Sequence, residues 1–535
     1  MKTLTMKHHT LWLTLGVACL LSLNAQAQST EGDSSQPAGD TTTSAGSDLS
    51  AGASLGASGS TESDHASADA AVNSDTKSAA EKKTDVAPAA QGATDADAKP
   101  QGKAAFSNSE ASKGLTAALG DWHLTLYGYA ALNAMYDTTQ SFTQGIYNNL
   151  VKRPGTYAGD HDSFQLSVRD SRLGLKIGAP PSGDIKASAV IEMDFNGLQP
   201  AEFTEHDKTI QNPIRMRHYY MQIQTPVVDV LAGQYFDLFG WGGKGFFPST
   251  LSFLGLTGEV YNREAQLRIS KTLSSEAIDF EVAVAATRPA QRASGVPDFQ
   301  AGLRLAVNGW ATARQQGYGQ PSMGPLAIGV SGITRRFEVA EFLPNPMDAK
   351  VDRAFGYAVD AFIPVIPVKS AEKRSNALAL TGEFSSGGGI GDLYTELSGG
   401  LLFPTLPNPS DKVPPPTYPQ NVDSGYVTYD GNGQLQMVKW QGLVANIQYY
   451  LPIADGKVWI SGSYAQSFSS NLRSLTPLPA RGAVATKSQY MDASLFFAWT
   501  EALQTGVGFQ TVKQTYADGV EARDNRTELG MHFFF

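Results

Sequence analysis

From Asp121 to Phe535 apolar and polar residues alternate with a period of two in sixteen separate segments, and that pattern limits the fold more than anything else in the chain. Two is the repeat of a β-strand, whose successive side chains leave from opposite faces. In "IKASAVIEMDF" Ala187, Ala189, Ile191, Met193 and Phe195 share one face, with Lys186, Ser188, Glu192 and Asp194 on the other. In "EAQLRIS" Ala265, Leu267 and Ile269 oppose Glu264, Gln266 and Arg268. In "QAGLRLAVN" Ala301, Leu303, Leu305 and Val307 oppose Arg304 and Asn308. The pattern predicts strands at 122–138, 163–178, 185–197, 214–225, 228–241, 262–273, 277–289, 298–310, 325–342, 354–368, 377–386, 437–452, 457–470, 487–500, 503–517 and 526–535.

The connections alternate too. Short turns at 179–184, 224–229, 272–277, 370–376, 453–457 and 500–503 are interleaved with long polar segments. The long ones are 139–162, 198–213, 242–262, 290–297, 343–353, 387–436, 472–486 and 518–525. Asp455-Gly456 suits a hairpin because both residues tolerate positive φ. Residues 311–324 break the rule, a longer polar stretch standing where a short turn belongs.

An even strand number, short turns on one side and long loops on the other describe an all-β chain, a 16-stranded antiparallel transmembrane β-barrel. A soluble sandwich would place its charge outside and its apolar residues inside. The end of the chain, "RTELGMHFFF", agrees with the barrel. Thr527, Leu529, Met531, Phe533 and Phe535 form a lipid face, and the last phenylalanine falls in the interfacial aromatic girdle.

The first part of the chain has a different texture. "MKTLTMKHHTLWLTLGVACLLSLNAQAQS" joins Lys2 and Lys7 to an apolar stretch from Leu11 to Leu23 and then Ala25-Gln26-Ala27. This is an export signal, residues 1–27, cut before Gln28. Its Cys19 is the chain's one cysteine, so the mature protein has no disulfide and no thiol chemistry. Residues 28–113 are rich in Ser, Ala, Asp, Thr and Gly and show no heptad, which reads as a disordered periplasmic tether. The barrel domain is 121–535. Beyond the signal no apolar run reaches the length of a membrane helix, and a net charge of −10 leaves no footprint for nucleic acid.

At residues 163–269 the sequence resembles a known family. Ser171-Arg172-Leu173-Gly174, then Glu192-Met193-Asp194-Phe195-Asn196-Gly197, Arg215-Met216-Arg217-His218 and Gly233-Gln234 stand in order. A loop with Phe247-Pro248 and Gly255-Leu256-Thr257-Gly258-Glu259-Val260 follows, and Arg263, Gln266 and Arg268 close the series. These motifs resemble those of the DcaP-like porins, which are related to the phosphate-selective porins. The resemblance implies a homotrimeric outer-membrane channel, with outer-membrane lipid and lipopolysaccharide around it. It also implies passive uptake of small anionic solutes, typically dicarboxylates. One feature departs: members of the family can carry an N-terminal coiled coil, and the Ser/Ala/Asp-rich segment here has none.

A passive channel needs a wet lumen, a constriction and a field, and no catalytic group or cofactor. Residues 242–262 form the third outer loop, whose glycines, Pro248 and aromatics suit a loop folded into the bore. The expected pore-lining residues are Arg172, Lys176, Glu192, Asp194, Arg215, Arg217, Gln234, Lys244, Arg268 and Arg304. Guanidiniums suit carboxylate or phosphate because their planar fork donates two parallel hydrogen bonds. The register is strained at two places. With Leu173 and Leu175 facing lipid, Arg169 faces outward; with Tyr219, Met221 and Ile223 facing lipid, Arg215 and Arg217 do so as well. A bulge in each strand restores them; without one, they sit at the membrane rim.

His218 is read either as a pH-sensitive neighbour of the arginines or as a spacer. The polar runs 158–162 and 204–208 are read as solvated loops or as cation sites. Arg335 and Arg336, in the outer half of the ninth strand, have no further basic cluster to support a lipopolysaccharide-phosphate site. An enzyme is disfavoured, since residues 121–535 have no G-x-S-x-G and no metal-spaced histidine pair. An adhesin role through the long loop 387–436 stays open beside the channel reading, as does a non-selective pore.

Overall fold

The computed structural model describes residues 114–142, 150–200, 202, 204–251, 255–291, 294–316, 319–395 and 425–535. The expected signal, all of the expected tether and much of the long loop 387–436 lie outside the described residues.

Sixteen strands form one closed antiparallel sheet. They are β1 (Trp122–Asp137), β2 (in two pieces, Ser163–Ser167 and Arg172–Gly178), β3 (Lys186–Asp194), β4 (Arg215–Gln224), β5 (Asp229–Phe236), β6 (Arg263–Ser274), β7 (Ile278–Thr287) and β8 (Asp298–Arg314). Then come β9 (Ser322–Ala340), β10 (Ala349–Ile366), β11 (Leu378–Gly388), β12 (Lys439–Tyr450), β13 (Val458–Ser469), β14 (Ala485–Ala498), β15 (Leu503–Tyr516) and β16 (Glu521–Phe534). Each pairs with its neighbours in sequence, and β16 pairs back onto β1 from Tyr129 opposite Phe534 to Asp137 opposite Arg526. Phe535 and Gly128 exchange both backbone hydrogen bonds at 3.1 Å, so the terminal residue finishes the ring. Closure leaves no sheet edge within the barrel wall, the condition for backbone in hydrocarbon.

The side chains follow the expected sense. Leu267, Leu303, Val330, Val507 and Leu529 are exposed on the outer face, whereas Gln266, Gln300, Ser331, Gln510 and Glu528 are buried on the inner one. A water-soluble protein would bury that first set and expose the second.

Three features depart from the expected layout. β8 passes a register shift between Val307 and Ala311 and runs on to Arg314, so the anomalous turn shrinks to about its normal length. A short strand, Leu115–Leu119, pairs with Trp122–Leu126 as a hairpin ahead of the barrel. It prolongs the line of β16 along the β1 edge that β16 leaves uncovered. The run 204–208 starts a helix, Glu205–Ile210, whose Thr204 and Asp207 form a reciprocal cap. A capping carboxylate already holds its donors, so the cation reading of that loop is dropped.

Candidate functional site

Loop 3, the connection between β5 and β6, crosses the lumen. Its first arm lies on β8 and β9: Phe239 N donates to Gln300 Oε1 at 2.8 Å, Gly240 N to Ser331 Oγ at 2.9 Å and Trp241 Nε1 to Val330 O at 3.1 Å. Trp241 is fully buried over Gly302 and Gly329, where a Cβ would come within 2.8 Å and 2.6 Å of the indole. Only glycine admits so close a plate. The tip reaches the far wall, where Thr250 Oγ1 donates to Asp492 Oδ2 at 2.5 Å and Leu251 packs against Gly506, Gly508 and Gly530. The returning arm passes Gly258 against Gln466 O and bridges Val260 to Tyr394 of loop 6. Small lumen residues such as Ala283, Ala285, Ala306 and Ala327 make room for it. The inward loop expected from the glycines and aromatics is present.

Of the expected arginines, Arg172, Arg215 and Arg217 form a ladder at Glu192 and Asp194, and both expected bulges exist. β2 breaks between Ser167 and Arg172, which turns Arg169 into the wall interior. There its guanidinium donates to Phe195 O at 3.0 Å and Gly197 O at 2.7 Å, clamping the root of loop 2. In β4 the register shifts at the pair Glu192/Met193, so Arg217 and His218 are both buried on the inner side. The outward readings of Arg169, Arg215 and Arg217 are thereby corrected.

The ladder is largely self-neutralised. Asp194 accepts from Arg215 at 3.0 and 2.6 Å and from Arg217 at 3.1 Å. Glu192 accepts from Arg217 at 2.7 Å and from Tyr127 OH at 3.0 Å, with Arg172 at 3.7 Å. Lys176 lies over the Tyr127 ring at 4.9 Å. His218 stands 3.8 Å from Glu192 within rings of Tyr235 and Phe236. These groups hold β1–β4 together as much as they face the bore.

Gln234 does not line the lumen. It pairs with Tyr219 and Ala265, which face outward, and its amide donates to Met216 O and Arg217 O at 3.0 Å each. Two carbonyls displaced by the β4 bulge need a donor, and Gln234 supplies it. Arg335 does not face lipid. It is buried inside, with Asp392 at 2.5 Å and Asp298 at 3.0 Å, and meets no lipid phosphate.

A second basic group lies beside the first arm of loop 3. Glu281 on β7 holds Lys244 at 2.8 Å and has Arg304 at 3.9 Å. Arg268 and Arg314 are near enough to add to the field there. Arg268 donates to Phe236 O and lies over Tyr235 at 5.7 Å; Arg314 donates to Gly245 O and lies over Phe362 at 4.9 Å. Among the described residues, neither Arg268 nor Arg314 forms a salt bridge. Arg268 Nη1, Arg304 Nε and Arg314 Nε are buried with no hydrogen-bond partner among them. Sequence reading missed Arg314 because it sat in the supposed turn. Glu281 was legible, since Phe280 and Val282 fix it on the lumen side.

No family model matches the sequence, and no curated protein matches it. The solved structure of the outer membrane channel DcaP of Acinetobacter baumannii does match, with a TM-score of 0.53 at 17% identity, over 77% of this chain and 97% of that one. The chain has the fold of an outer-membrane channel. That likeness agrees with the resemblance carried by the motifs at 163–269. An anion-selective porin from Comamonas acidovorans gives a TM-score of 0.44 at 10% identity, over 77% and 100% of the chains. OprB of Pseudomonas putida gives 0.42 at 12%, over 77% and 94%.

Proposed function

We propose that the protein is an outer-membrane porin of the DcaP-like kind, passing small hydrophilic anions of the dicarboxylate class by diffusion, and that it is not an enzyme. One observation carries the reading: at the inward loop four cations, Lys244, Arg268, Arg304 and Arg314, gather near one carboxylate, Glu281, an excess of positive charge. Fixed positive charge beside a narrow bore attracts a passing carboxylate without binding it too tightly to leave. The ladder at Glu192 and Asp194 adds a smaller excess, because its carboxylates already occupy its arginines. The whole protein is acidic, but permeation samples the narrow section, where fields are less screened.

The same reading includes export by a cleaved signal at 1–27, a tether at 28–113 and assembly as a homotrimer. Conductance and reversal potential of the purified protein in a planar bilayer test it. Anion preference, with brief current blocks by a succinate-sized diacid, is the expected result. Cation preference without such blocks would leave only a general pore, and no conductance would remove the channel.

A further inference from the structure

Three carboxyl groups meet where the returning arm of loop 3 touches β10 and β11. Asp360 and Glu383 are direct cross-strand partners on the lumen face, 0% and 8% exposed. Glu259, on the loop, is 6% exposed, and next to it Val260 N donates to Glu383 Oε1 at 2.7 Å. Neither Asp360 oxygen has a donor among the described residues apart from the Glu383 carboxyl beside it. None of the three forms a salt bridge among those residues.

Among the described residues the surroundings supply no counter-charge. β9 presents Gly329 opposite Asp360, and β12 presents Val444 opposite Glu383. Arg304, opposite Gly329 on β8, is the next cation in that row, and the Trp241 plate lies over Gly329 between them. Gly240, in the first arm, comes near Glu383 Oε2, and loop 6 brings Tyr394, whose hydroxyl accepts from Ser385 Oγ. Buried carboxylates without a cation do not all stay ionised; they take up protons. Two facing carboxyls hold one proton between them as a hydrogen bond, as like charges in contact require.

We propose that Asp360, Glu383 and Glu259 form a proton-held latch that keeps the returning arm of loop 3 on the barrel wall, and that losing the protons releases the arm and alters the bore. Protonated, the pair bonds to itself and Glu383 still accepts from Val260. Deprotonated, three negative charges sit together in a poorly solvated pocket and repel the loop that carries one of them. The protons leave to water, and no other chemistry is involved. Burial, and then the Glu383 charge, push the Glu259 carboxyl up to about 8, which sets the release on the alkaline side of neutrality.

The latch rests on the channel reading for its electrical readout, and a second readout is independent of it. Single-channel current of the full-length protein is recorded between about pH 6 and about pH 10, on both sides of the Glu259 transition. Wild type should be quiet at the acid end and show flicker or a changed open level above the transition. D360N/E383Q, which keeps shape and replaces the shared proton by amide hydrogens, should stay quiet throughout, and E259Q should flatten the transition. A wild type without the transition, or an unchanged one in D360N/E383Q, overturns the latch.

Infrared spectra at neutral pH supply the second readout. They should show a protonated-carboxyl C=O band that weakens in E259Q, a loop change, and in D360N/E383Q. Absence of that band from wild type defeats the latch whether or not the protein conducts. A silent barrel that shows the band removes the channel reading while supporting the shared proton.

Discussion

Asp137 and Arg526 face each other across the seam where the first strand meets the last, as direct register partners with both side chains fully enclosed. Arg526 donates from Nε to Oδ1 at 2.7 Å and from Nη2 to Oδ2 at 2.9 Å, a fork-to-fork pair. Removing one member leaves the other charged and buried, which typically costs about 3–5 kcal/mol. Arg526→Ala should therefore weaken closure, seen as loss of the fast-migrating folded band at a lower temperature on unboiled gels. Arg526→Met with Asp137→Leu should recover part of that loss, because Asp137 is no longer left alone, while Asp524 and Glu528, which Arg526 also offsets, keep the recovery incomplete. Equal damage in the single and the double variant would show that the pair does not govern closure.

The basic group at loop 3 makes a signed prediction. Glu281 is the carboxylate that Lys244 and Arg304 share, so Glu281→Gln should raise anion preference while Arg304→Ala lowers it. A unit charge at such a site acts with about 1 kcal/mol after screening, roughly fivefold in local anion occupancy. Reversal potentials in a salt gradient measure both changes. Opposite shifts are expected, and shifts of the same sign would place the selective section elsewhere.

Much of the barrel could be read from the sequence because lipid outside and water inside impose a strict alternation. Leu173 and Leu175 outward fixed Arg172 and Lys176 inward, and Leu267 and Ile269 did the same for Arg268. The rule failed where the backbone stops being regular. Arg217 and His218 both face inward because a bulge lets two neighbours share a side, and no single-strand pattern reports that. Gln234 faces outward because its partner is the displaced backbone of β4, three-dimensional information absent from "AGQYF". Asp360 and Glu383 were hidden for another reason. Each sits alone in its own strand, and their meeting depends on cross-strand register, which alternation leaves open.

Outside the membrane-spanning strands, Arg153 of loop 1 donates to Asp518 of loop 8 at 2.7 Å and to Gly482 O of loop 7 at 3.0 Å. The hydrogen bond from Arg153 holds the Asp518 carboxyl below its ordinary value. A carboxyl lowered on folding contributes above its unfolded value and loses that contribution as pH falls through the lowered one. The three loops should stay tied at neutral pH and loosen in acid, read as faster protease cutting in loops 1 and 8. Asp518→Asn should show the faster cutting already at neutral pH, with little further change on acidification. The pair is partly exposed, so barrel stability itself should hardly move.

The last prediction concerns what keeps loop 3 inside. Trp241 is fully buried and gives its indole N–H to Val330 O at 3.1 Å. Its backbone has φ of +45°, which a tryptophan adopts only when its surroundings hold it there. Truncating a buried Trp costs about 3–5 kcal/mol, and here that loss falls on the loop arm rather than on the strand ladder, whose backbone bonds remain. Trp241→Ala should therefore leave a heat-modifiable barrel with a looser constriction: larger or noisier conductance and weaker discrimination between anions and cations. Gly329→Leu should act the same way from the wall side, because its side chain takes the space of the indole, where even a Cβ would lie 2.6 Å from the ring. Agreement between the two variants, one emptying the site and one filling it, would assign the effect to the Trp241–Gly329 contact. A conductance unchanged in both would mean that the tip at Thr250 and Asp492 holds the loop unaided.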